Sequence, residues 1–171
     1  MYKRCYLNFP IFHVIHNQML NRIKAALQSI GSPSVQSEPD ISSIEFSVAI
    51  LLVEVMHADH QLDEQEKIIV IQLLTKQFEI EEIAAQDLFD RANKKVNGVV
   101  SLHKYTSHVN SDLSYDDKQL LMKNLWSVVY SDGRVDKYEE HLVRRISDLI
   151  HVSHKDFIKA KHLAQENSPA C

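Results

Sequence analysis

The sequence is poor in the residues that make tight turns. Its 171 residues include only 3 glycines and 4 prolines. Proteins built from many short strands, or from strands alternating with helices, need frequent tight turns, and Gly and Pro are prominent among the residues that form them. This scarcity favours an all-α fold, and it excludes collagen-like and low-complexity proteins.

Cysteine and an excess of basic charge are also lacking. The 2 cysteines, Cys5 and Cys171, stand at opposite ends of the chain and form no CxxC pair. This usage is typical of a reduced, cytoplasmic protein and not of a disulfide scaffold. Lys and Arg number 19 against 23 Asp and Glu, a net charge of −4. Such a balance provides no basic field to attract nucleic acid, so we expect no nucleic-acid partner.

Long apolar runs are missing as well. No stretch approaches the roughly 18–20 apolar residues that span a bilayer, so we expect no transmembrane segment. Near the start, the basic pair Lys3-Arg4 precedes an apolar stretch that Asn8, Pro10 and His13 interrupt. That pattern does not fit an export signal. We therefore divide the chain into a loosely attached extension (1–18), a helical domain (19–165) and a short tail (166–171).

Apolar residues recur with helical period along the whole domain, and no segment alternates long enough to predict a strand. We expect a bundle of about seven or eight helices. The pattern Ser42-Ser-Ile-Glu45 predicts a capping box with Ser42 as the N-cap. Among the apolar side chains, we expect Ile68 and Leu163 to face the core. The predicted helices lie at 19–30, from the Ser42 cap through 55, at 63–77, 81–96, from the Ser101 cap, from the Ser114 cap, at 136–150 and from the Ser153 cap.

The domain contains an internal repeat at an offset of 73 residues. Residues 52–66 match residues 125–139 without a gap, and each copy reads as a helix, a short acidic turn and a second helix. Two such hairpins bury their apolar faces best against each other, which predicts two pseudo-symmetric repeats. The paired acidic positions are Asp59, Asp63 and Glu66 in the first copy, and Asp132, Asp136 and Glu139 in the second.

One interpretation of the acidic turns is purely structural. Asp63 with Glu66, and Asp136 with Glu139, have the spacing of capping boxes, in which Asp is the N-cap and Glu the third helical residue. In this interpretation Val135 tucks into the core ahead of its cap. Gly133 takes a left-handed conformation that ends the preceding helix.

The other interpretation is a weak divalent-cation site. Three carboxylates per turn, with backbone carbonyls and water, suit Ca²⁺ or Mg²⁺, at a Kd on the order of 10⁻⁴ M or weaker. The turn is not an EF-hand, because Lys137 replaces the required Gly and Val143 replaces the bidentate Glu. Two histidines beside the first turn, His57 and His60, would also suit Zn²⁺ or Ni²⁺. The residues leave the capping and cation interpretations open.

The second copy, residues 125–150, reads LWSVVYSDGRVDKYEEHLVRRISDLI. With the first copy it resembles the TerB-like tellurite-resistance proteins of bacteria, and the likeness covers about 19–164. His60 departs from the usual Ala-Asp-Gly of that family. The resemblance implies a compact all-α domain whose six acidic residues have been proposed to hold metal. It also implies a protein partner in stress-response complexes associated with membranes.

Two functions remain after these exclusions. The first is a non-enzymatic interaction module whose acidic turns bind a cation or a protein. The second is a metal-dependent, hydrolase-like enzyme that uses the same carboxylates for acid–base chemistry. The sequence offers no nucleophile elbow and no phosphate-binding glycine loop, so we expect the module rather than the enzyme.

Overall fold

The structure, a computed structural model, describes residues 43–58, 64–96, 101–131, 133 and 135–167. These residues form seven α-helices and contain no strand, which confirms the all-α prediction. The extension 1–18, the helix expected at 19–30 and residues 168–171 of the tail lie outside the described residues. The helices are α1 (Ile44–Met56), α2 (Glu64–Phe78), α3 (Glu82–Val96), α4 (Leu102–Asp112), α5 (Tyr115–Val129), α6 (Lys137–Leu149) and α7 (His154–Glu166).

Helix α1 lies at the centre of the bundle. Its sequence, IEFSVAILLVEVM, is apolar on nearly every side, and such a helix is stable only when neighbours surround it. Helices α2, α3, α4, α5 and α6 all pack against it. The core therefore forms around one helix.

The N-cap of α1 corrects the sequence prediction. Ser43, and not Ser42, is the N-cap, and its hydroxyl accepts a hydrogen bond from the Phe46 amide at 3.2 Å. Both serines precede an apolar run, so the pattern alone does not separate them. Ser43 lies three residues before Phe46, which is the spacing at which an N-cap side chain satisfies an exposed amide of the first turn.

Three apolar side chains expected in the core lie at the surface. Ile68 is 50% exposed, Leu163 39% and Val135 41%. The buried stripe of α2 runs through Val70, Ile71, Leu74 and Phe78, so Ile68 falls beside it. In α7 the stripe consists of Phe157, Ala160 and Ala164, which leaves Leu163 outside. Both predictions were wrong because neighbouring positions on a helix were equally apolar. Val135 belongs to the turn before α6, which leaves it at the surface.

The helix boundaries follow the 73-residue offset closely. Shifting α1, α2 and α3 by 73 places their last residues at 129, 151 and 169, and α5, α6 and α7 end at 129, 149 and 166. The packing order is also parallel, since α1 contacts α2 and α3 while α5 contacts α6 and α7. Similar boundaries do not define the orientation of one hairpin relative to the other, so two-fold symmetry stays a prediction. None of the described helices is long and apolar enough to cross a bilayer.

Candidate functional site: the acidic turns

The structure describes three of the six predicted acidic residues. Glu66, Asp136 and Glu139 are described, whereas Asp59, Asp63 and Asp132 lie outside the described residues. Among the residues that are described, no three His, Cys, Asp or Glu side chains group as metal ligands would. The six-residue cluster therefore stays a prediction.

The second turn contains the predicted capping box. Asp136 Oδ1 accepts a hydrogen bond from the Tyr138 amide at 2.7 Å, and Glu139 Oε2 accepts one from the Asp136 amide at 3.1 Å. Gly133 has the left-handed φ of 77° that was expected for the turn. Both carboxylates lie at the positive end of the α6 dipole, which favours their charge. The capping interpretation is thus confirmed for this turn.

The two capping carboxylates differ in their exposure to solvent. The cap bonds join Asp136 Oδ1 to the Tyr138 amide and Glu139 Oε2 to the Asp136 amide. Asp136 is only half-buried and is therefore partly accessible to solvent, whereas Glu139 is 3% exposed. Asp136 is therefore the more accessible of the two carboxylates to a ligand from solvent.

The two buried glutamates occupy the same helical position. Glu66 is the third residue of α2, and Glu139 is the third residue of α6. They are 5% and 3% exposed. Burial of an ionised carboxylate is costly unless donors or positive charges surround it, and a helix N-terminus supplies donors. Glu139 meets this requirement at α6, where its carboxylate accepts a hydrogen bond from the Asp136 amide.

Ser131 is a further polar group at the second turn. Its hydroxyl is buried, and within the described part of the chain it has no hydrogen-bond partner. Ser131 directly precedes Asp132, and the repeat places Ala58 at the equivalent position of the first turn. A buried hydroxyl normally has a partner, so this oxygen is available to a bound group. No pattern in the sequence marks Ser131 for this role.

At the end of α1, His57 is held by α3. The distance from its Nε2 to Asn93 Oδ1 is 2.6 Å. An amide oxygen only accepts hydrogen bonds, so Nε2 carries the proton and donates it. Only Nδ1 then remains to bind a metal such as Zn²⁺ or Ni²⁺. The sequence analysis missed Asn93, which lies 36 residues away and belongs to no motif.

Glu54 is a half-buried carboxyl group that belongs to neither turn. Burial raises its pKa above the ordinary value of 4.5. The pKa of Tyr105 on α4 is raised as well, first by burial and then by the charge of Glu54. The two groups therefore lie close enough to interact electrostatically, on the side of α1 that α4 covers.

Comparison with known proteins identifies the family. The model of the tellurite resistance protein TerB family matches residues 45–162. No curated protein matches the chain significantly. A crystal structure of a protein of unknown function from Porphyromonas gingivalis W83 is similar, with a TM-score of 0.55 and 15% identity. The likeness covers 80% of this chain and 98% of that one, and it supports the fold alone. Because the family model spans more than half of the sequence, this chain belongs to the TerB family of tellurite resistance proteins.

Proposed function

We propose that the chain is a non-enzymatic interaction module of a bacterial stress response of the tellurite-resistance type. Its acidic turns bind a divalent cation, Ca²⁺ or Mg²⁺, weakly, and present a charged surface to a protein partner in the cytoplasm. The family match supports the setting. The observation that carries the proposal is the burial of Glu66 and Glu139, each the third residue of its helix and aligned by the 73-residue offset.

The chemistry of the second turn fits such a cation. Ca²⁺ and Mg²⁺ prefer oxygen ligands, and carboxylates, hydroxyls and carbonyls all qualify. Asp136 supplies a half-buried carboxylate, Glu139 a buried one, and Ser131 a buried hydroxyl. The Asp132 side chain completes the predicted set. A bound cation would neutralise the carboxylates and hold the turn in one conformation.

A protein partner would find apolar contacts beside the same turn. Val135 and Tyr138 flank the cap and are 41% and 60% exposed. Exposed apolar side chains next to charged groups are common at protein interfaces, where Tyr is enriched. These residues support docking of a protein at the second turn. The family resemblance points to a partner in membrane-associated complexes.

The metal-dependent hydrolase is the less favoured function. An enzyme site requires a concave pocket beside the reacting groups. One cleft of the described part is lined by residues of α5 and α7, and another by α4 and the end of α6. Neither cleft includes Glu66, Asp136 or Glu139. The separation of both clefts from these carboxylates supports a binding surface rather than an enzyme active site.

Thermal unfolding in the presence of Ca²⁺ or Mg²⁺ tests the proposal. If the Kd is about 10⁻⁴ M, a cation concentration of about 100 times that value stabilises the fold by about 2.7 kcal/mol. Asp59→Asn and Asp132→Asn should reduce this gain. The first turn should contribute more, because Arg134 and Lys137 partly neutralise the second.

A matched control separates binding from general charge effects. Asp148→Asn removes one carboxylate from the far end of α6, where the side chain is exposed. It should keep the full cation response. The absence of both heat in a calorimetric titration and stabilisation at millimolar cation would reject the cation site and leave the acidic turns as caps.

A further inference from the structure

One face of the bundle collects apolar side chains that no described helix covers. The described residues include seven large apolar side chains that are exposed, and three of them, Tyr115, Leu120 and Leu163, lie on α5 and α7. They are 44%, 40% and 39% exposed. Leu120 and Leu163 line a shallow cleft of about 190 Å³ between the two helices. Clustered apolar exposure of this kind marks an interaction surface, whereas single exposed residues do not. We call it the α5/α7 face.

Alignment of the two halves at the offset of 73 indicates that this face lacks a covering helix among the described ones. At the offset of 73, Leu120 corresponds to Ser47 of α1. Ser47 is fully buried beneath α4, where its hydroxyl lies 3.0 Å from His108 Nδ1. In the first half a helix therefore covers this position. Within the described residues, no helix takes that place over Leu120.

The charges along α5 are complementary to those of an antiparallel α5 helix from a second copy of the chain. Asp116, Leu120 and Lys123 have the i, i+4, i+7 spacing of one helix face, with Leu120 close to the midpoint. Asp116 and Lys123 are separated by about 10 Å along the helix. A two-fold axis beside Leu120 would bring Asp116 of each copy to Lys123 of the other. It would also place the two Leu120 side chains together.

Helix α7 has the same order of charges as α5, with an acidic residue before a basic one. Asp156 precedes Lys159 on the wall of the cleft. The Tyr115 hydroxyl donates a hydrogen bond to Asp156 Oδ2 at 2.8 Å, which brings the start of α7 to the start of α5. The carboxylates of both helices therefore lie toward one end of the face. An antiparallel second copy would oppose them with lysines.

We propose that the α5/α7 face binds a second copy of this chain, with the two α5 helices antiparallel across a two-fold axis at Leu120. The same patch then serves both copies, as in an isologous dimer. A stable interface buries at least about 1,200 Å² in total, and Leu120 and Leu163 are the two large apolar side chains that line this cleft. The dimer is therefore weak and concentration-dependent.

Sedimentation equilibrium of the full chain, from micromolar to millimolar concentration, tests the dimer. Leu120→Asp should raise the dissociation constant at least about tenfold, since two buried leucines are lost per dimer. The control is Ile83→Asp on α3, which adds the same charge at a residue that is 86% exposed. It should leave the dissociation constant unchanged. Circular dichroism verifies that each variant is folded.

A charge exchange tests the proposed orientation. Asp116→Lys and Lys123→Asp should each weaken the dimer about threefold to tenfold, because each disrupts two symmetric ion pairs. The double variant reverses both charges and should restore the parent affinity. A dimer that the double variant fails to restore contradicts the antiparallel pairing. A chain that stays monomeric throughout overturns the proposal, and a melting temperature lowered by Leu120→Asp would then indicate that the face is covered within the chain.

Discussion

The two halves of the bundle join their second and third helices by different chemistry. In the first half, α2 packs on α3, and Ile71 and Leu88 are both buried. At the equivalent positions the second half has Arg144 and Lys161. Both cations bind Glu140, at 3.3 Å and 3.0 Å. Two buried apolar residues in one half thus align with the two cations of an ion network in the other.

Aromatic rings complete the second interface. The guanidinium of Arg144 lies 4.7 Å from the centre of the Phe157 ring, and Lys161 Nζ lies 4.5 Å from that of Trp126. The rings of Trp126 and Phe157 also contact each other edge to face, at 5.4 Å. Cations over aromatic faces add favourable energy while their alkyl stems cover apolar surface. The comparison shows that one hairpin pattern can be joined to its third helix with either apolar or charged side chains.

The largest expected difference between the halves is at Trp126, which the 73-residue offset aligns with Val53. Both side chains are fully buried. Trp126→Ala should lower the free energy of unfolding by about 3–5 kcal/mol. Val53→Ala should lower it by about 1.5–2.5 kcal/mol, since fewer carbon atoms leave the core. Urea unfolding measures both. Equal losses would contradict the view that the second half depends on its aromatic cluster.

A smaller effect is expected at the cap of α6. Asp136→Ala should cost about 1 kcal/mol of stability, whereas Asp136→Asn should cost only a few tenths, because Asn also caps well. The pair Asp63→Ala and Asp63→Asn extends the comparison to the first turn. The same difference there would indicate a second capping box. An Asp136→Asn variant as unstable as Asp136→Ala would show that the charge, and not the hydrogen bond, matters.

The smallest effect concerns pH and the ion network. The hydrogen bond from Lys161 is the main cause that lowers the pKa of Glu140 below its ordinary 4.5. The stability that ionised Glu140 contributes is therefore complete above pH 4.5, and it is lost as the pH falls through the lower pKa of the folded state. Because Glu140 is partly exposed, Glu140→Gln should cost only about 0.5–1 kcal/mol at neutral pH.

The matched control for Glu140 lies in the first half. Glu64 approaches Lys67 only to 4.0 Å and is 84% exposed. Glu64→Gln should therefore leave the acid side of the stability profile unchanged, while Glu140→Gln should flatten it. Chemical unfolding at several acidic pH values compares the two variants. Identical profiles would show that the network around Glu140 adds no stability.

Local features of this protein are readable from its sequence. The capping box of Asp136 and Glu139 was predictable because its hydrogen bonds join residues at most three positions apart. Helix α1 was predictable because its apolar residues are consecutive, so that any packing partner buries them. The all-α fold was predictable because the scarcity of Gly and Pro limits the number of tight turns that the chain can form.

Features that depend on residues distant in the sequence could not be predicted from the sequence alone. Ile68 and Leu163 are as apolar as the residues beside them, and their exposure depends on which faces of α2 and α7 meet other helices. The bond between His57 and Asn93 spans 36 positions, and the contact between Glu140 and Lys161 spans 21. Periodicity defines the apolar stripe of a single helix. Several helix faces are similarly apolar, so periodicity alone does not decide which of them pair. The packed bundle decides this, because it buries the largest apolar area together.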